Sequence, residues 1–160
     1  MNGPRASKRA FLCELPCLPA DTKVRFLGCV RQYNVTEGHL ILEHNYLRGK
    51  EEANTVPVDI NAVLEDVTSE ELHVGAWLNV IGYVRDCHSP SASFSSSQLD
   101  AQSQHSNDSS SAAKVPSTIP SRPVYIDAVL VYPAGAIALG EYERILRNLL
   151  DVERRMQFVG

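Results

Sequence analysis

Aromatic residues are scarce in this 160-residue chain, at 7% with a single tryptophan, and positive charge is in deficit. Lysine and arginine number 15 against 19 aspartates and glutamates, for a formal net charge of -4. A field of that sign draws nothing toward phosphates, so any nucleic-acid contact has to be local. No apolar run is long enough to span a membrane. The start of the chain, with Arg5, Lys8 and Arg9 before Phe11-Leu12-Cys13, is broken by Glu14, Pro16 and Pro19 too early for a secretion signal. Cys13, Cys17, Cys29 and Cys87 show no C-x-x-C spacing, which points to free thiols in a reducing, intracellular compartment rather than to zinc or disulfides. The N-x-S/T matches at Asn34 and Asn107 are then chance. A P-loop, a nucleotide-binding glycine fingerprint and a G-x-S-x-G elbow are all missing. His39, Glu43 and His44 form H-x-x-x-E-H, the wrong spacing for a zinc-binding helix, inside a strand pattern. Asp59, Asp66 and Asp127 are scattered. Nothing here calls for an enzyme, a cofactor, a metal or a small-molecule substrate.

What is present is a repeated strand template. Val24 to Arg31 (Val-Arg-Phe-Leu-Gly-Cys-Val-Arg) and Leu78 to Arg85 (Leu-Asn-Val-Ile-Gly-Tyr-Val-Arg) are both apolar at positions 1, 3 and 7, with glycine at 5 and arginine at 8. Val24, Phe26 and Val30, like Leu78, Val80 and Val84, fall on one face at period two. Gly28 and Gly82 share that inward face, where a missing side chain permits the bend by which a short sheet curls into a barrel. Trp77, Ile81 and Tyr83 face the other way, as do Leu27 and Cys29. These apolar outer positions require a cover, supplied either from within the chain or by a partner.

Around the two templates the pattern reads strand, strand, strand, helix, strand. Residues 1–20 form an arm that orders only near Phe11 to Leu18. A strand from Lys23 to Tyr33 ends at the turn Asn34 to Gly38, and His39 to Asn45 returns. A charged loop leads to Thr55 to Val58, whose Pro57 belongs at a sheet edge or strand end. Asp59 is placed to cap a short helix bearing Ile60, Val63, Leu64 and Val67. Between His88 and Arg122 serine supplies 13 of 35 residues, too polar to offset chain ordering, so the segment reads as a disordered insert. Val124 to Tyr132 then resumes as a fifth strand. Residues 21–160 thus make one domain interrupted by residues 88–122. The order matches a five-stranded OB-fold Greek-key barrel with a short helix between strands 3 and 4.

Residues 139–156 spell a long terminal helix of about 27 Å. Tyr142, Ile145, Leu149, Val152 and Met156 follow a 3-4-3-4 spacing, and Leu146 and Leu150 widen the stripe. Glu143/Arg147 and Asp151/Arg155 are spaced as i,i+4 pairs. The stripe suits either the chain's own barrel or a partner helix.

Leu40-Ile-Leu-Glu-His-Asn-Tyr46, Val58-Asp-Ile-Asn61, Val74 to Val84, and Leu130 to Ala136 running into Leu139 to Arg144 together resemble the fungal Ten-type subunits of the telomeric CST complex. That assembly is itself similar to replication protein A. The resemblance covers about residues 11–86 and 123–156. It implies a non-catalytic telomere-capping subunit of the nucleus, bound to a Stn-type OB-fold protein through a helix after the barrel. It also implies support for single-stranded telomeric DNA binding by the complex. Tyr142, Ile145, Leu146, Leu149, Val152 and Met156, with Trp77, are then the candidate partner surface. Candidates for nucleic acid are Tyr33, His44, Tyr46, Arg48 and Lys50, plus Arg31 and Arg85, where aromatic platforms meet local positive charge. The alternatives are a small subunit of a replication protein A-like assembly and an autonomous single-strand-binding module.

Overall fold

Twelve residues of continuous strand, Lys23–Asn34 (β2), are the axis of the computed structural model, which describes residues 3–46, 54–87 and 122–158. β2 is too long for one neighbour on either edge. Its first half pairs antiparallel with Trp77–Asp86 (β5), from Lys23↔Tyr83 to Cys29↔Trp77. Its second half pairs antiparallel with His39–Glu43 (β3). β3 continues antiparallel to Thr55–Asp59 (β4), and β4 runs parallel to Val124–Pro133 (β6). An antiparallel β5–β6 ladder closes the ring, giving the five-stranded OB-fold barrel that the strand order predicts.

Because β3 has only five residues, part of the β2 edge has no partner from the barrel. The arm fills it. Lys8–Arg9 (β1) pairs in parallel with Val24 and Arg25, and the Ala10 N–H donates to the Arg25 carbonyl at 3.2 Å. A 3-10 turn over Leu12–Cys17 follows, held by the Phe11 N–H donating to Glu14 at 2.9 Å. Its Leu12 and Leu15 are buried and join the barrel core beside Phe26, Leu40, Leu42, Leu78, Val80 and Ile126.

Both templated glycines sit where a side chain has no room. A Cβ at Gly28 would lie 2.9 Å from the Leu42 Cβ, and one at Gly82 only 2.5 Å from the Asp127 carbonyl oxygen. The β5–β6 register shifts between Ile81 and Gly82, so that glycine marks a bulge as well as a close approach. Pro57 is tolerated in β4 because pairing to β6 begins only at Val58. The helix after β4 is shorter than the apolar spacing predicts. It is a single 3-10 turn, Asn61–Val63, and Asp59 stays in the strand, its carboxylate accepting from the Asn61 N–H at 2.9 Å. Val63 is buried and Val67 packs on the core, while Leu64 is exposed, so one turn suffices to seat the apolar residues. The serine-rich run falls on residues 88–121, outside the described residues.

Since the atom nearest a Gly82 methyl is main-chain carbonyl, Gly82→Ala should destabilise the barrel by about 1–3 kcal/mol in chemical denaturation. A stability equal to that of the unsubstituted chain would show that the β5–β6 approach can relax.

Candidate functional site

The terminal helix, Leu139–Gln157 (α1), is aimed by the chain that leads into it. After β6 the Ala134 N–H donates to the Trp77 carbonyl at 2.9 Å, and Gly135 adopts a left-handed φ of 64°. The helix therefore starts against the beginning of β5. Glu141 in its first turn and Arg154 and Arg155 in its last complement the macrodipole.

One bond fixes how the helix is rotated. Nε2 of His44, just past β3, lies 2.9 Å from Oε1 of Glu143. His44 is 2% exposed and is the buried polar residue of the described chain. Rings surround it: Trp77 meets it edge-on at 5.4 Å, Tyr142 and Phe11 lie at 6.3 and 6.1 Å, and Tyr46 stacks on Phe11 at 3.8 Å. Burial pushes the Tyr142 phenol up, against the lowering influence of Arg25, Arg9 and a hydrogen bond with the Leu27 backbone. Phe11, Leu27 and Leu146 are buried yet stand outside the barrel core, and so belong to a second apolar layer beneath α1. The chain's own helix thus covers the part of the outward faces of β2 and β5 around Leu27 and Trp77.

At about 100° per residue, an inward Glu143 throws Ile145, Val152 and Met156 to about 200°, 180° and 220° around the axis. They are 52%, 52% and 72% exposed. The predicted stripe is therefore two faces. Tyr142 and Leu146 are turned into the chain, Leu149 is half-buried between, and Ile145, Val152 and Met156 form an outer seam. Trp77, another predicted partner residue, is partly buried against His44.

The predicted nucleic-acid residues do not converge. His44 is buried and offers no face to a base, and Tyr46 has one face taken by Phe11. Arg85 is paired with Asp21 and with Asp127 at 3.2 Å, its guanidinium over Tyr83. Arg31 lies 3.8 Å from Glu43 on the half of β2 that Arg85 does not reach. Tyr33 packs partly against the core. Arg48 and Lys50 fall outside the described residues. The expected helix pairs differ too, since Glu143 is turned to His44 and Asp151 is met by Arg154 at 3.3 Å. Sequence reasoning missed Glu143 as an anchor because its partner lies 99 residues away. No disulfide links the four cysteines, and no group of three or more potential metal ligands occurs among the described residues.

A closed OB-fold barrel with a helix seated on its outer wall defines the class of protein: an OB-fold protein with a helical extension. Two solved structures share that shape. The crystal structure of the S. pombe Stn1-Ten1 complex matches with a TM-score of 0.58 at 21% identity, covering 93% of this chain and 96% of that one. The telomere capping protein Ten1 from S. pombe matches with a TM-score of 0.56 at 20% identity, covering 91% and 99%. No curated protein matches the chain. The family model for Ten1, described as "Telomere capping, CST complex subunit", matches residues 1–147, and the chain belongs to that family.

Removing the Glu143 carboxylate should leave a buried imidazole without its partner. Glu143→Ala is expected to cost about 1–3 kcal/mol of stability in urea, whereas Arg147→Ala should fall within about 0.5 kcal/mol of the parent. Equal effects of the two substitutions would indicate an ordinary surface pair instead.

Proposed function

We propose that this chain works in the nucleus, at the telomeric region of chromosomes, as a small non-catalytic subunit that binds a Stn-type OB-fold protein. The contact surface is the outer seam of α1, formed by Ile145, Leu149, Val152 and Met156. The observation that carries this reading is the division of the helix. One face is satisfied within the chain, yet an aligned apolar seam remains exposed on the other. Burying each large residue of the seam on a partner contributes about 1.5–3 kcal/mol before the costs of association. The S. pombe neighbour was crystallised as a Stn1-Ten1 complex, which supports the same mode of assembly.

Single-stranded telomeric DNA is held by the complex rather than by this chain alone. Supporting this are the acidic balance and the scatter of its cations, of which Arg85 already meets two carboxylates. One or two tyrosines, at about 1–3 kcal/mol per stacked base, assist a complex but do not make a binder.

Ile145→Glu/Val152→Glu should abolish co-purification with the Stn-type protein while the isolated chain keeps its thermal midpoint, because both positions are half-exposed. Undiminished co-purification would count against the seam. In filter binding, the isolated chain should not retain G-rich single strands at physiological salt, and the complex should. Tight, salt-dependent retention by the chain alone would favour the autonomous single-strand-binding reading. Recovery of replication protein A subunits from native extract, in place of the Stn-type protein, would favour the other alternative.

A further inference from the structure

A row of four residues crosses the outer wall of the barrel in register: Arg9 on β1, Arg25 on β2, Ile81 on β5 and Leu130 on β6. Each has a core residue beside it in sequence, Ala10, Val24, Val80 and Val131, so the row faces outward. Its first two members are both cations. They stand on strands about 4.8 Å apart, and like charges directly opposite each other destabilise a sheet. Among the described residues no carboxylate pairs with either of them, whereas Arg31, Arg85, Arg122, Arg144 and Arg154 each meet one. Arg25 lies over the Tyr132 ring at 5.9 Å, a contact that holds the guanidinium and leaves its charge uncompensated. A second observation places the pair beside α1. Burial pushes the Tyr142 phenol up and both Arg25 and Arg9 oppose it, so both charges are felt at that ring. Tyr142 stands about 60° around the helix axis from Ile145, on the flank of the outer seam. The arginine pair therefore borders the seam. Ile81 and Leu130, the latter 46% exposed, carry the apolar surface onward across the barrel.

We infer that an acidic side chain of the partner protein bridges Arg9 and Arg25, its apolar neighbours lying on the α1 seam and on Ile81 and Leu130, and so fastens β1 to the barrel. The two oxygens of one carboxylate accept from two guanidinium groups at once. The bridge removes a repulsion that works against a strand of only two residues. A phosphate carries the same charge. The apolar continuation of the row and the net charge of -4 favour a protein segment over a strand of nucleic acid. The inference rests on the partner-binding role proposed above and adds the arm and the barrel wall to the contact.

Arg9→Gln separates a docking role from a structural one. It should leave the thermal midpoint of the isolated chain unchanged or raised, since a repulsion is removed, and weaken binding of the Stn-type protein about tenfold in a calorimetric titration. Lys8→Gln, the same loss of charge on the adjacent residue, should stay within about twofold of the parent. Hydrogen exchange at the Ala10 amide, which donates to the Arg25 carbonyl, should slow when the partner is added to the parent chain, and slow less in Arg9→Gln at saturating partner. Equal partner affinities of Arg9→Gln and Lys8→Gln would overturn the bridge. A fall in the midpoint of the isolated chain matching the loss of affinity would assign Arg9 a structural role instead. Unchanged partner affinity with weaker retention of single-stranded DNA by the complex would assign the pair to phosphate. If Ile145→Glu/Val152→Glu abolishes co-purification while Arg9→Gln binds as the parent does, the seam stands and the bridge falls. An unsubstituted chain that does not bind the Stn-type protein removes the partner-binding role itself.

Discussion

Barrel closure depends on backbone lying against backbone at Gly82. The Asp127 carbonyl stands where any side chain would begin, and the register shift beside it turns β5 sharply enough to reach both β6 and β2. Around this approach Leu78, Val80 and Val84 fall inward and complete the core. The same alternation sends Trp77, Ile81 and Tyr83 outward. A small closed barrel therefore cannot help presenting apolar side chains on its outer wall when its strands are apolar on both faces. The terminal helix follows from that constraint.

The helix could cover such a wall in several rotations, since apolar residues occupy much of its circumference. His44 and Glu143 select one. Buried polar pairs are weak sources of net stability, because desolvation offsets most of what they gain, but a pair that is costly to break specifies an arrangement. With Glu143 held on His44, the Leu146 side is committed to the barrel and the Ile145 side to solvent. Phe11 and Tyr46, stacked on each other, close the flank of the seat with residues from the arm and the end of β3. Arm, barrel and helix thus meet at one imidazole.

Most of the fold is legible in local pattern. The templated strands carry their curvature in two glycines, and the helix carries its limits in a 3.6-residue period. What local pattern hides is pairing across distance. β1 exists because β2 outruns β3, a consequence of two strand lengths rather than of anything written in Lys8 and Arg9. The helix expected after Asp59 shrinks to one turn because Val63 and Val67 reach the core without it. His44 reads in sequence as a polar residue at a strand end and a candidate for a base, while its burial comes from a helix that begins nearly a hundred residues later. Glu143 reads as half of an i,i+4 pair with Arg147, and that local partner loses to an imidazole in a drier place, where the same bond is worth more.

The outer seam carries functional information through alignment rather than exposure. Proteins expose isolated apolar residues routinely, and Val35 or Val74 on this chain needs no partner to account for it. Ile145, Val152 and Met156 differ in recurring along one line of a rigid helix, with half-buried Leu149 between them, at the spacing that interlocks with another helix. The barrel beneath is already closed, and the helix is already seated through its other face, so the seam adds nothing to either. It also raises the risk of association. A feature that stabilises nothing within the molecule, and is held outward by a buried bond, is the reason we propose an apolar surface on a second protein as its cover.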